Sequence, residues 1–524
     1  MSRLFRGIVS GLISAVVALG LAELVAAISS SFRSPVIDVG NRVVDLVPPS
    51  VKDLAISWFG TNDKVALLVG IGVVLAVYAA LVGVVALRGH LGLGVAGILL
   101  FGVVGASAAL TGREERGLLA ALPSLVGAAA GAAALVVLAR AAGSVASTPV
   151  EPALAESSDG TEAGEHQEGV PSRRAFLAAA GGLAAAGVVA GTAGRWLGSR
   201  FSAVASRASV VLPRARRVLP APPAAIEVGR RGVEPFFTKN ADFYRIDTAL
   251  QVPQVQVDDW SLTVSGMVDT PIELTFEQLL ARDLDEYDIT LTCVSNEVGG
   301  QLMGTARWLG VRLDDLLDEA GVSPDADQVV GRSVDGYTCG FPTEVLDGRD
   351  ALVAVGMNGE PLPLEHGFPA RLIVPGLYGY VSATKWLTEI ELTRFDRFDQ
   401  YWVPRGYAVE APIKPSSRID TPRGLERITP GPTAVAGVAW AQPLGITGVD
   451  VQVDDGPWQP ARLADALNDV TWRQWTFPWD ATAGQHTLTV RATDGTGAIQ
   501  TAERSEPLPN GASGHHQIVV LVDS

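Results

Sequence analysis

The sequence predicts an α-helical membrane bundle of about five transmembrane helices, then a globular half mixing strands with short helices, then a terminal β-sandwich. Three observations carry this. Five long apolar runs crowd the N-terminal part of the 524-residue chain. From about residue 228 onward tryptophan, aspartate and alternating strand patterns appear, and no later run is long enough to span a bilayer. The last stretch, 413–524, breaks into short alternating runs separated by Asp-Gly and Ala-Gly turns.

The first four runs cover roughly 8–28, 65–87, 91–110 and 118–141, each close to the ~20 apolar residues a bilayer crossing takes. All are dense in Ala, Gly, Val and Leu, whose small members let helix backbones approach in lipid. A soluble bundle would need a polar face on each helix, and these have almost none. A mean hydropathy of +0.27 agrees with lipid-facing sequence. Residues 1–143 are therefore read as a four-helix transmembrane region. Residues 144–171, containing "EPALAESSDGTEAGEHQEG", are acidic, polar and poor in large apolar side chains, which predicts a flexible loop.

Residues 172–198 place Arg173 and Arg174 directly before an Ala/Gly-rich apolar run, 175–197. This resembles a twin-arginine export signal set inside the chain. The plainer reading is a fifth helix with basic flanks. The export reading implies a cytoplasmic N-terminus with Arg3 and Arg6, a multi-pass plasma-membrane protein, and a folded domain delivered to the extracytoplasmic side. Residues 199–227, "SRFSAVASRASVVLPRARRVLPAPPAAIE", read as a Pro/Arg-rich tether. Its Arg200, Arg207, Arg214, Arg216 and Arg217 argue for the opposite orientation, because positive loops are usually kept inside.

Composition also excludes classes. A formal charge of −16 argues against a nucleic-acid partner. Two cysteines, Cys293 and Cys339, exclude a disulfide scaffold, a four-cysteine zinc site and a c-type haem attachment. The bundle holds one histidine, His90, so paired axial ligands for a membrane haem are missing and no haem is expected in this chain. A redox role would then need a separate electron-transfer partner, a cytochrome or a quinone-linked protein.

In the globular half, "WSLTVSGMVDTPIELTFEQLL" alternates as a half-buried strand before a short helix. "DITLTCVSNEVGG" puts Cys293 where a strand runs out into a glycine-bearing loop, and an amphipathic helix follows around 313–320. As a thiolate a cysteine there is a soft metal ligand; as a thiol it is a small buried hydrophobe. In "EPLPLEHGFPARLIVPGLYGYVSATKW", His366, Arg371 and Lys385 sit on turns around a buried strand. Converging, they can hold a phosphate and a polar heterocycle; scattered, they are surface ion pairs.

Those two segments together resemble the sulfite oxidase family of molybdenum enzymes, from about residue 236 to the end. The resemblance implies a mixed α/β sulfite-oxidase-type domain over 228–412 that binds one molybdopterin. It also implies an immunoglobulin-like β-sandwich over 413–524, of a type that often mediates a homodimer. Cys293 would be the thiolate ligand of molybdenum. His366, Arg371 and Lys385, with Ala383 and Thr384, would hold the pterin and its phosphate. Asp335 matches a cofactor-contacting aspartate, and Lys239-Asn240 stands where the family has Arg-Asn beside the metal. Tyr244 and Arg245 would touch the pterin, and Tyr407 falls at the active-site tyrosine. Lys239 and Tyr407 are then candidates to bind substrate oxygen or relay a proton.

The implied activity is two-electron oxygen-atom transfer on a small substrate, with sulfite dehydrogenation and methionine or other sulfoxide reduction both open. Where sulfite oxidases carry a substrate-binding arginine after the cysteine, this chain has Glu297-Val298, and a carboxylate there repels a sulfite dianion. Cys339, Trp472, Trp475 and Trp479 read as packing, and His515 and His516 as turn or surface residues. A membrane-anchored binding protein would explain bundle and sandwich but not the two segments. A transporter would mark its path with intramembrane polar groups, and few beyond Glu23 occur.

Overall fold

The computed structural model describes residues 2–48, 51, 58–59, 63–114, 116–143 and 173–524. The acidic segment 144–171 lies outside the described residues. The chain divides into two compact units, Met1–Ser202 with Ala249–Gln251, and Ala203–Thr248 with Val252–Ser524.

The first unit is helical: α1 (Arg3–Ala26), α2 (Pro35–Leu46), α3 (Asp63–Leu87), α4 (Leu91–Leu110), α5 (Leu122–Ala141) and α6 (Arg173–Gly198). Five stretches built on α1, α3, α4, α5 and α6 are long and apolar enough to cross a membrane. The short α2 is not among them; it is an additional amphipathic element that the apolar-run pattern does not reveal.

Glycine decides how the long helices pack. A Cβ at Gly11 would lie 1.8 Å from Ala79 O on α3, one at Gly20 2.0 Å from Gly187 O on α6, and one at Gly127 2.5 Å from Ala18 O. So α1 meets α3, α5 and α6 backbone to backbone, as small residues allow in an apolar medium. Larger side chains such as Val69, Val74, Leu81 and Leu93 are left exposed on the outside.

The ends of this unit differ in chemistry. At one, Arg6 donates to Ala142 O at 3.5 Å and lies over the Phe176 ring. At the other, α2 and Arg33 just before it form ion pairs with the residues after α4: Arg33–Glu114 at 2.5 Å, Arg113–Asp45 at 2.8 Å and Arg116–Asp38 at 2.5 Å. Glu23 is used there too, accepting from Ser34 Oγ at 2.6 Å.

The second unit opens with α7 (Ala203–Ser209) and then an extended arm. One sheet has the order β2 (Ile272–Thr275), β1 (Ser261–Gly266), β10 (Leu387–Thr393), β5 (Gln328–Ser333), β6 (Thr338–Pro342). A second runs β3 (Leu284–Thr292), β4 (Met303–Arg312), β7 (Leu352–Met357), β8 (Glu360–Pro361), with β9 (Arg371–Ile373) also on β7.

Between strands, α8 (Phe276–Leu280) is started by a Thr275/Gln278 capping box. The amphipathic α9 (Leu313–Ala320) buries Leu313, Leu316, Leu317 and Ala320 and ends at Gly321 in the left-handed conformation that favours glycine. The short α10 (Gly379–Ser382) follows β9. Cys339 is fully buried on β6, as a packing residue should be.

The C-terminal region has two further sheets. One is β11 (Ser416–Thr421), β13 (Gly431–Trp440), β17 (Arg473–Ala481), β16 (Arg462–Leu463); the other is β12 (Arg427–Ile428), β19 (His516–Val522), β18 (Gly484–Asp494), β14 (Ile446–Val453), β15 (Gln459–Pro460). Val435, Trp475 and Phe477 of one share a core with Val451, Leu488 and Val520 of the other. Trp472, Trp475 and Trp479 are all buried. His516 is not a free surface residue: its Nδ1 accepts from Ile419 N–H at 3.0 Å.

The segment that reads as a tether is, from residue 203, held against this unit. Arg216 N–H donates to Leu284 O, and Arg217 O accepts from Glu286 N–H, so the arm pairs along the edge of β3. The Arg216 guanidinium grips Asp285 at 2.7 Å and Asp283 at 3.0 Å. Its proline and arginine content hides this, because the partners lie far along the chain.

Candidate active site

Buried on both faces, β3 delivers Cys293 at its end, 8% exposed. Cys293 N–H donates to Leu302 O at 2.9 Å, and Cys293 O accepts from Asn296 N–H at 3.1 Å. Asn296 then closes the loop, its Oδ1 accepting from Leu302 N–H at 2.8 Å. The C-terminal sheets hold the same loop from outside. Arg418 donates to Gly300 O at 2.9 Å, and His516 packs so tightly on Gly299 that a Cβ there would lie 2.3 Å from its Nε2. Burial pushes the Cys293 thiol up, while hydrogen bonds from Ser295 and the Lys385 charge pull it down.

Aromatic rings surround the sulfur. Burial raises the phenols of Tyr244, Tyr337 and Tyr378, and Cys293 is among the neighbouring charges that add to this. Tyr337 OH donates to Tyr380 O at 2.8 Å. Tyr407 sits further along this wall, 5.4 Å from the Tyr380 ring and 5.0 Å from Trp402. Thr292, Asn296, Glu297 and Tyr378 line a cavity of about 10 Å³, one water in size, with Ser416, Trp440 and Ala512. Glu297 itself is exposed.

A basic cradle lies beside it. His366 is buried and its Nε2–H donates to Asn240 O at 3.0 Å, which fixes the tautomer and leaves Nδ1 as an acceptor. Its ring stands edge-on to Phe243, and burial pushes its pKa down to about 4, so it is neutral near pH 7. Arg371 opens β9, donates to His366 O at 3.1 Å and lies 5.2 Å over the Trp308 ring. Its Nε is buried with no hydrogen-bond partner, no ion pair joins it among the described residues, and burial pulls its pKa down to about 10.

Lys385 donates to Asp247 at 2.9 Å and to Glu365 O at 3.1 Å; burial pulls it to about 8 despite that partner. Gly367 separates the two cations. A Cβ there would meet Lys385 Cβ at 3.0 Å and Arg371 Cβ at 3.1 Å, and its φ of +109° favours glycine in any case. The Ala383 and Thr384 backbone rims this cradle: Thr384 O accepts from Leu372 N–H, and Gly379 lies within reach of Ala383 and the Tyr244 hydroxyl.

Asn240 is held by Asn358, whose amide donates to its Oδ1 at 2.8 Å. Asp335 is buried in the turn between β5 and β6, where its Oδ1 accepts from Tyr337 N–H at 3.1 Å. Arg245 is exposed and pairs with Asp247 at 2.8 Å. Lys239, next to Asn240, is also exposed, and among the described residues its side chain has no hydrogen-bond partner. Sequence reading missed Asp247, which holds Lys385, and the aromatic supports Phe243 and Trp308. Of its two partners only Arg245 is local; Lys385 lies 138 residues along the chain, and nothing near Asp247 in the sequence marks that pairing.

Residues 249–402 match the family described as "Oxidoreductase molybdopterin binding domain". An uncharacterized oxidoreductase of Bacillus subtilis, YuiH, is 36% identical over 148 residues, 28% of this chain and 72% of that protein. The mitochondrial sulfite oxidase of Homo sapiens is 29% identical over 303 residues, 49% of this chain and 54% of the human one. The chain belongs to the sulfite oxidase family of molybdopterin-binding oxidoreductases. It spans about half the length of the sulfite oxidases it matches. The sulfane dehydrogenase SoxCD of Paracoccus pantotrophus shares the fold, with a TM-score of 0.50 at 24% identity, covering 58% of this chain and 87% of that one.

The cradle suits the family's cofactor on physical grounds. A guanidinium this deeply buried normally has a counter-ion, and an unmade hydrogen bond at Arg371 Nε leaves the group undercompensated. A phosphate beside it would supply charge and acceptor together.

Proposed function

We propose that the chain is a membrane-anchored, molybdenum cofactor-dependent enzyme that transfers an oxygen atom, coupled to two electrons, on a small substrate. The observation that carries this is the buried Arg371, without an ion-pair partner among the described residues, in a basic cradle next to the buried end of β3. The cofactor, when bound, supplies the two-electron redox chemistry. Arg371 and Lys385, with the Ala383–Thr384 backbone, hold its phosphate; Arg371 also orients His366. His366 presents Nδ1 as an acceptor to the pterin, with Asn240, Tyr244, Arg245 and Asp335 around it.

Cys293 is the protein's thiolate ligand. Among the described residues no group of three His, Cys, Asp or Glu side chains could hold a metal. A metal at Cys293 must therefore arrive with its own chelator, as molybdopterin's dithiolene provides. Tyr407 and Lys239 are the candidates to hold substrate oxygen or move a proton at it. Lys239 would have to swing in from solvent.

Glu297 lies exposed on the loop that follows Cys293, where a carboxylate would disfavour a dianion. That favours a neutral acceptor such as a sulfoxide over sulfite. The C-terminal sheets are assigned as an immunoglobulin-like β-sandwich, the part through which a homodimer would form. We further assign five membrane crossings, with Arg173 and Arg174 as a twin-arginine signal and the catalytic unit on the extracytoplasmic side. A separate cytochrome or quinone-linked protein exchanges the electrons.

The full chain from a molybdenum-replete host should carry one molybdopterin and one molybdenum by mass spectrometry and elemental analysis. Cys293→Ser should lose turnover on both sulfite and methionine sulfoxide. A bare wild-type protein, or a fully active Cys293→Ser variant, would overturn the assignment.

A further inference from the structure

The arm between the last long helix and the sheets does more than lie along β3. On α7, Arg207 makes three hydrogen bonds to one short segment: Nε to Leu362 O at 2.8 Å, Nη2 to Pro361 O at 2.7 Å, and Nη2 to Glu360 Oε2 at 2.8 Å. That segment is β8 and the residue after it. It leads within a few residues into the turn Leu364–His366. Two of the three acceptors are main-chain carbonyls, so Arg207 fixes the path of the backbone and not merely the charge of Glu360.

α7 is itself fixed. Ala203 N–H donates to Gln254 Oε1 at 3.0 Å, and Ser206 Oγ accepts from Val257 N–H at 3.0 Å. Ala203 is fully buried in the same apolar cluster as Phe243, Trp308, Leu362 and Phe368. Phe243 is the ring against His366, and Trp308 the ring beneath Arg371. α7 thus backs the cradle from behind, and its charged member grips the strand that feeds His366.

From this geometry we infer that Arg207 is a positioning residue for the cofactor pocket: by tying Glu360–Leu362 it sets where the His366 imidazole stands. The inference rests on the cofactor reading above. The arm is then a working part of the pocket rather than a passive link. Arg216 offers the internal control, since it pins the same arm to Asp285 and Asp283 without touching the cofactor loop.

The test uses the full chain in detergent, as wild type, Arg207→Gln, Arg207→Lys and Arg216→Gln. Two readouts are taken: the rate at which pterin leaves the protein, and backbone hydrogen exchange over residues 360–367. Charge-assisted bonds to main-chain carbonyls hold a loop firmly, so Arg207→Gln should release pterin at least about tenfold faster and exchange faster over 360–367. Arg207→Lys, keeping charge but not the fork, should recover part of both.

Arg216→Gln should match wild type. Equal release and equal exchange in wild type and Arg207→Gln would overturn the inference, as would the same loss in Arg216→Gln. Should Arg207→Gln fail to accumulate, Arg207→Lys must still show intermediate release. A wild-type chain without pterin would sink the cofactor reading alone, because exchange over 360–367 would still report on Arg207.

Discussion

Arg371→Met should stabilise the cofactor-free protein and weaken the loaded one. Burial pulls the Arg371 guanidinium well below the ordinary arginine value, down to about 10. At about 1.4 kcal/mol per tenfold, keeping it charged in the empty pocket costs about 3 kcal/mol. Against this stand one hydrogen bond to His366 O, worth about 1 kcal/mol, and stacking on Trp308, worth about 1 kcal/mol. Methionine keeps much of the side chain's length and packing. The apo variant should therefore gain on the order of 1 kcal/mol, since removing an uncompensated buried charge relieves its desolvation.

With the phosphate bound the sign reverses. The ligand's charge loses its buried partner, a loss of about 3–5 kcal/mol. The assay is thermal unfolding of both forms, apo protein coming from a host unable to make the pterin. The cofactor-induced rise in unfolding temperature should shrink sharply, while the apo curve moves up. If Arg371→Met destabilised the apo protein and left that rise intact, the guanidinium would be a packing residue and the cradle argument would fall.

Lys385 gives a pH signature. Burial sets its folded value at about 8, below the 10.5 of the unfolded chain. The unfolded state therefore binds more protons between those values, so apo stability should rise as pH climbs from 8 to 10.5. Cofactor uptake needs the ammonium and should fall over the same range; Lys385→Gln should flatten both profiles in titrated unfolding and uptake measurements. Gly367→Ala should cost at least ~1 kcal/mol from its positive φ alone, and should cut pterin content by pushing Lys385 and Arg371 apart, read by mass spectrometry. In the helical unit, Gly11→Leu should abolish accumulation, because its Cβ would meet Ala79 O at 1.8 Å, whereas Gly70→Leu, with nothing within 4 Å, should accumulate normally; immunoblots of membranes decide it.

What the sequence made legible was local. The apolar runs, the strand ending at Cys293, the amphipathic 313–320 helix and the strand inside "RLIVPG" each carry their own period or turn signal. What it hid was set at a distance. The edge partner of β3 is an arm whose prolines suggest a loose link. Asp247 reaches Lys385, and Arg207 reaches Leu362, across more than a hundred residues. His516 is wedged against Gly299, a contact that adjacent-residue reasoning on a strand could not supply. Lys239 illustrates the opposite case, a motif position whose side chain the fold leaves in solvent.

The conflict over orientation also changes once the arm is seen to be docked. Under the proposed export topology, Arg207, Arg216 and Arg217 read as a loop would be positive charges on the side the loop-charge bias disfavours. In the structure Arg207 is paired with Glu360, Arg216 with Asp285 and Asp283, and Arg217 lies over the Tyr287 ring. These contacts exist only once β3, β7 and β8 have formed, so they belong to a folded body and not to a loop threading through the membrane unfolded. The loop-charge bias acts on short segments inserted before folding, while large domains cross largely regardless of charge. The proposed export reading therefore reconciles a paired arginine ahead of the fifth helix with an arginine-rich arm behind it if the second unit folds first. Folding first is also what a cofactor seated behind Arg207 and Arg371 would demand.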